Sequence, residues 1–550
     1  MGSFPRLTLN QFKTNQLKIG LSRFRLWLLL LLVLLGTCFR MASLDRPVYW
    51  VDEVATAIRI AGHTRPALTQ QLSTGEPITV EELQDFQQIQ GDRPWTDTWN
   101  ALTQSPEHAP LYFLLARAWA EAWGSSVAAM RSLSVVLGLV ALPCLFWACG
   151  VLVPLSNMGW MAVGLLAVSP FFVAYAQEAR PYSLWTVALL LLMGTLGRSL
   201  HRNTLLSWLS YTLALGLSLY TSLLTVFVVL GQGVAVLSLD FSRCPRRTQS
   251  YLLATGLGLA AFLPWGWIIF SHWQTLQDNT TWMREPITPW ATAAVWFYSL
   301  AVLWFDVPLS VDPSLETLGK ALVALGVVVL IGYAAVIFWR ETSPLVGRVV
   351  VLGAIATPLV LLGIDGLRGG QAAATPRYLT PALLGALISV AYLLGDRLQR
   401  SSHRRWRILA ATLFSVGLLS CTIGLTHTSD YQKARNRANP AIASRINQSD
   451  QAVLLAESQL TMDVLSLSHS LESDVIVRLL PSVQYLTDHP LCESAFVLNP
   501  SEAFRQSLGR GDRLRLIYRP ELLTSEDVHL SLWYLAPDGR ACGPSRRAAD

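Results

Sequence analysis

The sequence predicts an all-α polytopic membrane protein, with about eleven transmembrane helices plus interfacial helices and a small C-terminal α/β soluble domain. Three observations predict it. The 550 residues are 52% hydrophobic and 14% charged, with mean hydropathy +0.40, whereas a soluble chain carries about 25% charge. Ser132 to Gln177 and Thr204 to Leu239 contain no charged residue, and at about 20 residues per crossing each holds two spans. From Thr428 onward, short apolar runs alternate with polar helical stretches, the pattern of a mixed α/β unit.

Taken in order, Lys13, Lys18, Arg23 and Arg25 precede an uncharged run, Leu26 to Phe39. A signal peptide fits the shortness of that run. No clean small-x-small cleavage site follows it, and the expectation is a retained first span with Arg25 and Arg40 snorkelling to the interfaces. The eleven expected spans are 24–41, 131–152, 159–176, 183–200, 204–220, 221–239, 250–270, 316–339, 346–364, 378–396 and 407–426. With the N-terminus cytoplasmic, four of the five cytoplasmic loops are basic. They carry Arg198 and Arg202; Arg243, Arg246 and Arg247; Arg340 and Arg348; and Arg397, Arg400, Arg404, Arg405 and Arg407, as the positive-inside rule demands. Pro110 to Gly124 and Pro289 to Phe305 are apolar but break this agreement if either alone crosses. They read as interfacial helices, a place that suits tryptophans 119, 123, 290, 296 and 304. The domains expected are 1–426, a membrane domain that includes a long periplasmic loop at 42–130, and 427–550, a periplasmic α/β domain. Its expected strands are Ala452–Ala456, Asp474–Leu480, Ala495–Leu498, Arg513–Tyr518 and Ser531–Leu535, with helices near 459–470 and 501–508.

This topology gathers four motifs on the non-cytoplasmic side, each where an apolar segment meets water: Asp52-Glu53, Glu107 to Tyr112, Gln177 to Tyr182, and Pro376-Arg377-Tyr378. Ionisable residues at such places are costly and mark function. Asp52 and Glu53 read either as a solvated loop between interface anchors or as a general base with a carboxylate partner. His108 opens an interfacial helix and is a substrate-site candidate. Glu178 and Arg180 read either as a mutually compensating turn pair or as substrate contacts, with Tyr182 beside them. Arg131, Arg180 and Arg377 oppose the positive-inside trend, and a guanidinium fork suits phosphate. They and Tyr378 are the candidate phosphate contacts. A divalent metal has Glu53 and His272 as candidate donors, but no spacing is diagnostic, and no cofactor is expected with certainty. No Walker A sequence, GxGxxG fingerprint or HExxH occurs, so nucleotide-driven chemistry has no support, and nucleic acid is not an expected partner. Cys492 and Cys542 are the only cysteines of the tail and are expected to pair in an oxidising compartment.

The order of these motifs resembles the lipid-linked-sugar glycosyltransferases of the GT-C type. It is most similar to bacterial members of the dolichyl-phosphate-mannose protein mannosyltransferase family and their aminoarabinose-transferase relatives. Asp52-Glu53 matches the acidic pair after the first span. His108-Ala109-Pro110-Leu111-Tyr112 matches a His-Pro-Pro-Leu-Tyr stretch with Ala109 replacing a proline. Residues 176–183, Ala-Gln-Glu-Ala-Arg-Pro-Tyr-Ser, follow the bacterial branch almost letter for letter, and Arg377-Tyr378-Leu379 is similar to the late Arg-Tyr motif. The resemblance implies a GT-C-like fold, a polyprenyl-phosphate-sugar donor and a lipid, glycan or protein acceptor. It also implies an active site on the periplasmic face of the inner membrane, Asp52 as base, and arginines on the donor phosphate. The rival reading is a lipid or sugar transporter or flippase without transferase chemistry. Such a machine needs polar groups mid-span between two repeats, whereas this chain shows no internal repeat and collects its charges at one interface.

Overall fold

The structure, a computed structural model, describes residues 23–91, 93–155, 157–240, 244–306, 314–400, 404–426, 433–449, 451–489, 491, 493–507, 513–520 and 530–537. Each expected span is a helix or a bent pair of helices. They are α1 (Arg23–Met41), α4 (Val127–Leu152), α5 (Met158–Ala167) with α6 (Pro170–Ala176), α7 (Tyr182–Arg202), α8 (Leu205–Thr221), α9 (Thr225–Asp240), α10 (Pro245–Ala261) with α11 (Leu263–Ser271), α13 (Leu315–Glu341), α14 (Pro344–Arg368), α15 (Thr380–Arg400) and α16 (Arg404–Gly424). Among the described residues, six helices are long and apolar enough to cross a membrane, or eight if each bent pair is one span. Of the remaining three, α1 is not among these and α8 and α9 are shorter, so a count of eleven does not follow from length alone. The stretches expected at the interface are α3 (Leu111–Trp123) and α12 (Pro289–Ala301), each 13 residues. At 1.5 Å per residue they are too short for a roughly 30 Å hydrocarbon layer.

The break between α5 and α6 bends by 60° and exposes carbonyls that a continuous helix would use. Arg40 takes them: its guanidinium donates to the carbonyls of Leu166 (2.9 Å) and Ala167 (2.7 Å), and to Gly36 of its own helix. Pro170 then starts α6 where no amide donor is needed. A side chain on Gly36 would collide with the Ala167 carbonyl, so glycine is what lets α1 approach the break. Non-helical backbone at membrane depth requires such internal partners.

Between α1 and α4 lie α2 (Val51–Ile60), three short helices (Arg65–Leu72, Val80–Asp85, Trp95–Thr103) and a two-residue strand β1 (Ile78–Thr79). The tail supplies β2 (Val453–Glu457), β3 (Ile476–Leu480), β4 (Ala495–Leu498), β5 (Leu514–Tyr518) and β6 (Leu532–Leu535), all within two residues of the expected strands. The expected helices appear as Thr461–Leu467 and Glu502–Ser507. The sheet runs β1-β3-β2-β4-β6-β5, with β2 parallel to β3 and β4 and the other pairs antiparallel. The expected pattern lacked β1, which is too short to show alternation, and the helix Asn439–Ile446. First loop and tail share one apolar core, in which Val54, Ile58, Leu72 and Leu83 pack with Ile442, Leu454, Val464 and Val477.

Candidate active site

The site is built on the first turn of α2. Val54, Ala57 and Ile58 form the apolar stripe that seats this helix. Its N-cap Trp50 offers no capping side chain. The tail supplies the cap instead, as the Val51 N–H donates to the side-chain oxygen of Asn436 at 3.0 Å. Two carboxylates in a first turn sit favourably against the helix dipole. Consecutive helical residues project about 100° apart, so Asp52 and Glu53 part company: Asp52 lies at the rim with a side chain 23% exposed, and Glu53 is fully buried.

Glu53 is enclosed by cations. Arg131 grips it with two bonds (2.8 and 2.7 Å), Lys433 donates at 3.0 Å, and the Ala179 N–H at 2.9 Å. Burial alone would raise its carboxyl, but Arg131 and Lys433 outweigh that and hold it low, at about 2. Arg131 spends its other donors on the carbonyls of Leu44, Pro47 and Val48. The structure therefore gives Arg131 no N–H left for a phosphate. It anchors the segment that leads into α2, and the phosphate role expected of it is corrected to that of a buried brace. Glu53 is likewise enclosed and away from the cleft.

Asp52 faces two other arginines. Arg180 Nη2 lies 3.7 Å and Arg377 Nη2 3.5 Å from its Oδ2. Burial opposes its charge, but Arg377, then Arg180 and Arg59, keep its carboxyl below the ordinary range. Arg180 is positioned by bonds from Nη1 to the Asp52 carbonyl and the Thr56 hydroxyl. Pro181 and the short 177–181 turn present it at the mouth of α7. Arg377 stands among the rings of Trp50, Tyr378 and Trp282, with centroid distances of 5.4 to 5.9 Å. These faces hold a guanidinium without using its N–H groups, which leaves the fork available. Tyr182 packs its ring on Tyr175 beside Arg180.

Glu178 is fully buried, and neither carboxyl oxygen has a hydrogen-bond partner among the described residues. Burial, offset in part by Lys433 and reinforced by Glu53 and Asp52, pushes it up to about 8. His108 lies 3.6 Å from Glu107, which accepts from the Asn279 amide at 3.1 Å and has Arg59 3.8 Å away. Burial, with Arg59, Arg180 and Arg377 nearby, pushes the imidazole well below its ordinary value, so it is neutral at pH 7. His272 contacts its own helix at the Ile268 carbonyl. Among the described residues no three His, Cys, Asp or Glu side chains gather as a metal site needs, and the Glu53 oxygens are engaged by nitrogen donors. Cys492 and Cys542 lie outside the described residues. Sequence reasoning missed Lys433, Arg59 and Asn436. A signal for Lys433 existed: Lys433, Arg435 and Arg437 follow the last span on the expected non-cytoplasmic side, against the positive-inside trend that singled out Arg377.

The crystal structure of ArnT from Cupriavidus metallidurans in its apo state superposes on this arrangement with a TM-score of 0.52, covering 93% of this chain and 98% of that one at 12% identity. The fold is that of ArnT. ArnT bound to undecaprenyl phosphate aligns with TM-score 0.42 and 13% identity over 95% of this chain and 100% of that chain. No family model and no curated protein matches the sequence. The ArnT-like architecture agrees with the GT-C-like, multi-pass class that the motifs resemble.

Proposed function

We propose that the protein is a membrane glycosyltransferase that moves a sugar from a polyprenyl-phosphate-linked donor to an acceptor on the periplasmic face of the inner membrane. The N-terminus is cytoplasmic, and the tail 427–550 forms a periplasmic α/β domain. The observation that carries this reading is a carboxylate at a rim between two arginines, Asp52 between Arg180 and Arg377; the ArnT-like fold supports it. Asp52 takes the acceptor's proton, the acceptor attacks the anomeric carbon, and the bond to the phosphate oxygen breaks with inversion. Arg180 and Arg377 take up the charge of the departing phosphate, a large contribution where water is scarce.

The geometry also couples binding to basicity. Without donor, the two arginines neutralise Asp52 and make it a poor base. A phosphate between them draws their charge away, and the carboxylate regains proton affinity when the donor is in place. Glu178, pushed up to about 8, and His108, held well below its ordinary value, lie in the same region, and Tyr378 and Tyr182 flank the arginines.

The deciding experiment is transfer from a polyprenyl-phosphate sugar by purified Asp52→Asn protein. Turnover falls roughly 10²-fold or more, with donor binding retained. Near-normal turnover would remove Asp52 from the reaction, and net donor translocation without transfer by the wild type would favour a flippase.

A further inference from the structure

Lys433 follows α16 in the chain and is buried beside Glu53. Its side chain is 3% exposed. Its ammonium donates to Glu53 Oε2 at 3.0 Å and to the Val48 carbonyl at 2.8 Å. The backbone around it is fixed by the same junction. Asn436 caps α2 and also donates to Asp463 at 3.1 Å, Arg435 clamps Asp463 with bonds of 2.8 and 2.7 Å, and Ser466 donates to the Tyr49 carbonyl at 2.6 Å. A buried lysine is expensive, and one with a single carboxylate already held by an arginine is more than structure requires. The surplus positive charge sits on the Glu53 carboxylate that also accepts the Ala179 N–H at 2.9 Å, next in the chain to Glu178, whose two oxygens are buried and unbonded among the described residues.

We propose that Lys433 is a positioning residue of the active site: the soluble tail inserts its cation beside Glu53 and Glu178 and thereby sets the charge of the floor on which Asp52 works. The inference rests on the glycosyltransferase reading for its catalytic consequence but not for its electrostatic one. Glu178 feels Lys433, Glu53, Asp52 and Arg377 most strongly. From the packed helices it also meets Arg131, and the phenols of Tyr112, Tyr175 and Tyr182. Each of these cations also serves another carboxylate: Arg131 and Lys433 hold Glu53, and Arg377 faces Asp52. Lys433 is the one that the tail brings, and it holds down the proton affinity of Glu178. Removing it loosens Glu53, the neighbour of Asp52 in the first turn of α2, so that kcat falls while the KM for the lipid donor, set by Arg180 and Arg377, is kept; separately, Glu178 keeps its proton to higher pH.

The test compares Lys433→Met and Lys433→Arg in the full-length protein. The infrared band of a protonated carboxylic acid, assigned by its loss in Glu178→Gln, is followed against pH, together with kcat and donor KM. The expected result is a titration moved upward by about one unit or more in Lys433→Met, a lower kcat at unchanged KM, and a return toward wild type in Lys433→Arg. An unmoved band with unchanged kcat would overturn the proposal. If Lys433→Met does not accumulate, Lys433→Gln replaces it, keeping a donor for the Val48 carbonyl without the charge. Failure of both neutral variants to fold while Lys433→Arg folds would also overturn it, because Lys433 would then be a structural partner only. The infrared readout needs no substrate: a wild type that transfers no sugar sinks the glycosyltransferase reading, and an unmoved band sinks this one.

Discussion

Adjacent carboxylates can have opposite environments, and here the rotation of one helical step separates them. Asp52 meets arginines across a cleft, while Glu53 is locked among donors from residues 78 and 380 positions away. The sequence shows the pair but not this division, because the deciding partners are distant in the chain. The same holds for Arg131: an arginine on the unexpected side of the membrane was legible, and its commitment to three carbonyls was not. For Arg180 and Arg377, charge-assisted bonds contribute roughly 1.5–3 kcal/mol each. Arg→Ala at either site is therefore expected to weaken donor binding on the order of tenfold or more, and Arg→Lys less, since charge survives without the fork. Equal donor affinity in both alanine variants, read by isothermal titration, would leave these arginines as interface anchors. Glu178 predicts a pH dependence. Its carboxyl is raised from 4.5 to about 8, so the folded state holds a proton that the unfolded chain releases earlier. The stability it contributes is present below pH 4.5 and is lost as pH rises through about 8. Thermal unfolding of the wild type should therefore fall over that window, and Glu178→Gln should flatten the fall; parallel curves would place the effect elsewhere.

At the scale of elements, helices were legible because apolar runs uninterrupted by charge are long signals, and tail strands because their apolar runs are bounded by polar turns. The bend between α5 and α6 was not, although Ser169-Pro170 marks it in hindsight, since a span of 18 residues absorbs a break without changing its composition. The bend depends on Arg40. Arg40→Met strands the Ala167 carbonyl, which it satisfies at 2.7 Å, at about 1–3 kcal/mol for a buried acceptor left unpaired, and leaves the Leu166 carbonyl with the more distant Ser169 N–H at 3.4 Å. The melting temperature in detergent should drop accordingly, and a variant as stable as the wild type would show that another donor replaces the guanidinium. β1, which escaped sequence reading as the helix Asn439–Ile446 did, is two residues long and exists because β3 offers it an edge.

At the scale of the whole molecule, α16 sets the two faces apart. Its C-terminal end leads toward Lys433 and the acidic site, so its first residues, Arg404 and Arg405, lie about 30 Å away along a 21-residue helix. In a single-cysteine background, a cysteine at Glu472 should label with an impermeant thiol reagent added outside intact cells, and one at Arg404 should not. Labelling of position 404 from outside would invert the topology. The basic loops are what predict this orientation from sequence. What they could not show is that the tail and the first loop are one body, since the pairing that joins them has no local signature.

That body carries a timetable. Ile78 pairs with Val477, and Trp50's helix waits on Asn436 for its cap. A ribosome emits the chain at roughly 5–20 residues per second, so all the membrane helices are made before the first loop can find its partners. Until then its apolar core is half absent and its strand edge is open. The surroundings of Asp52 and Glu53 are thus completed only after the membrane helices are made, and a chain truncated within the tail is expected to yield a membrane bundle whose first loop lacks its strand partners. The tail is therefore no appended module: it shares the apolar core of the first loop and caps the helix that carries Asp52.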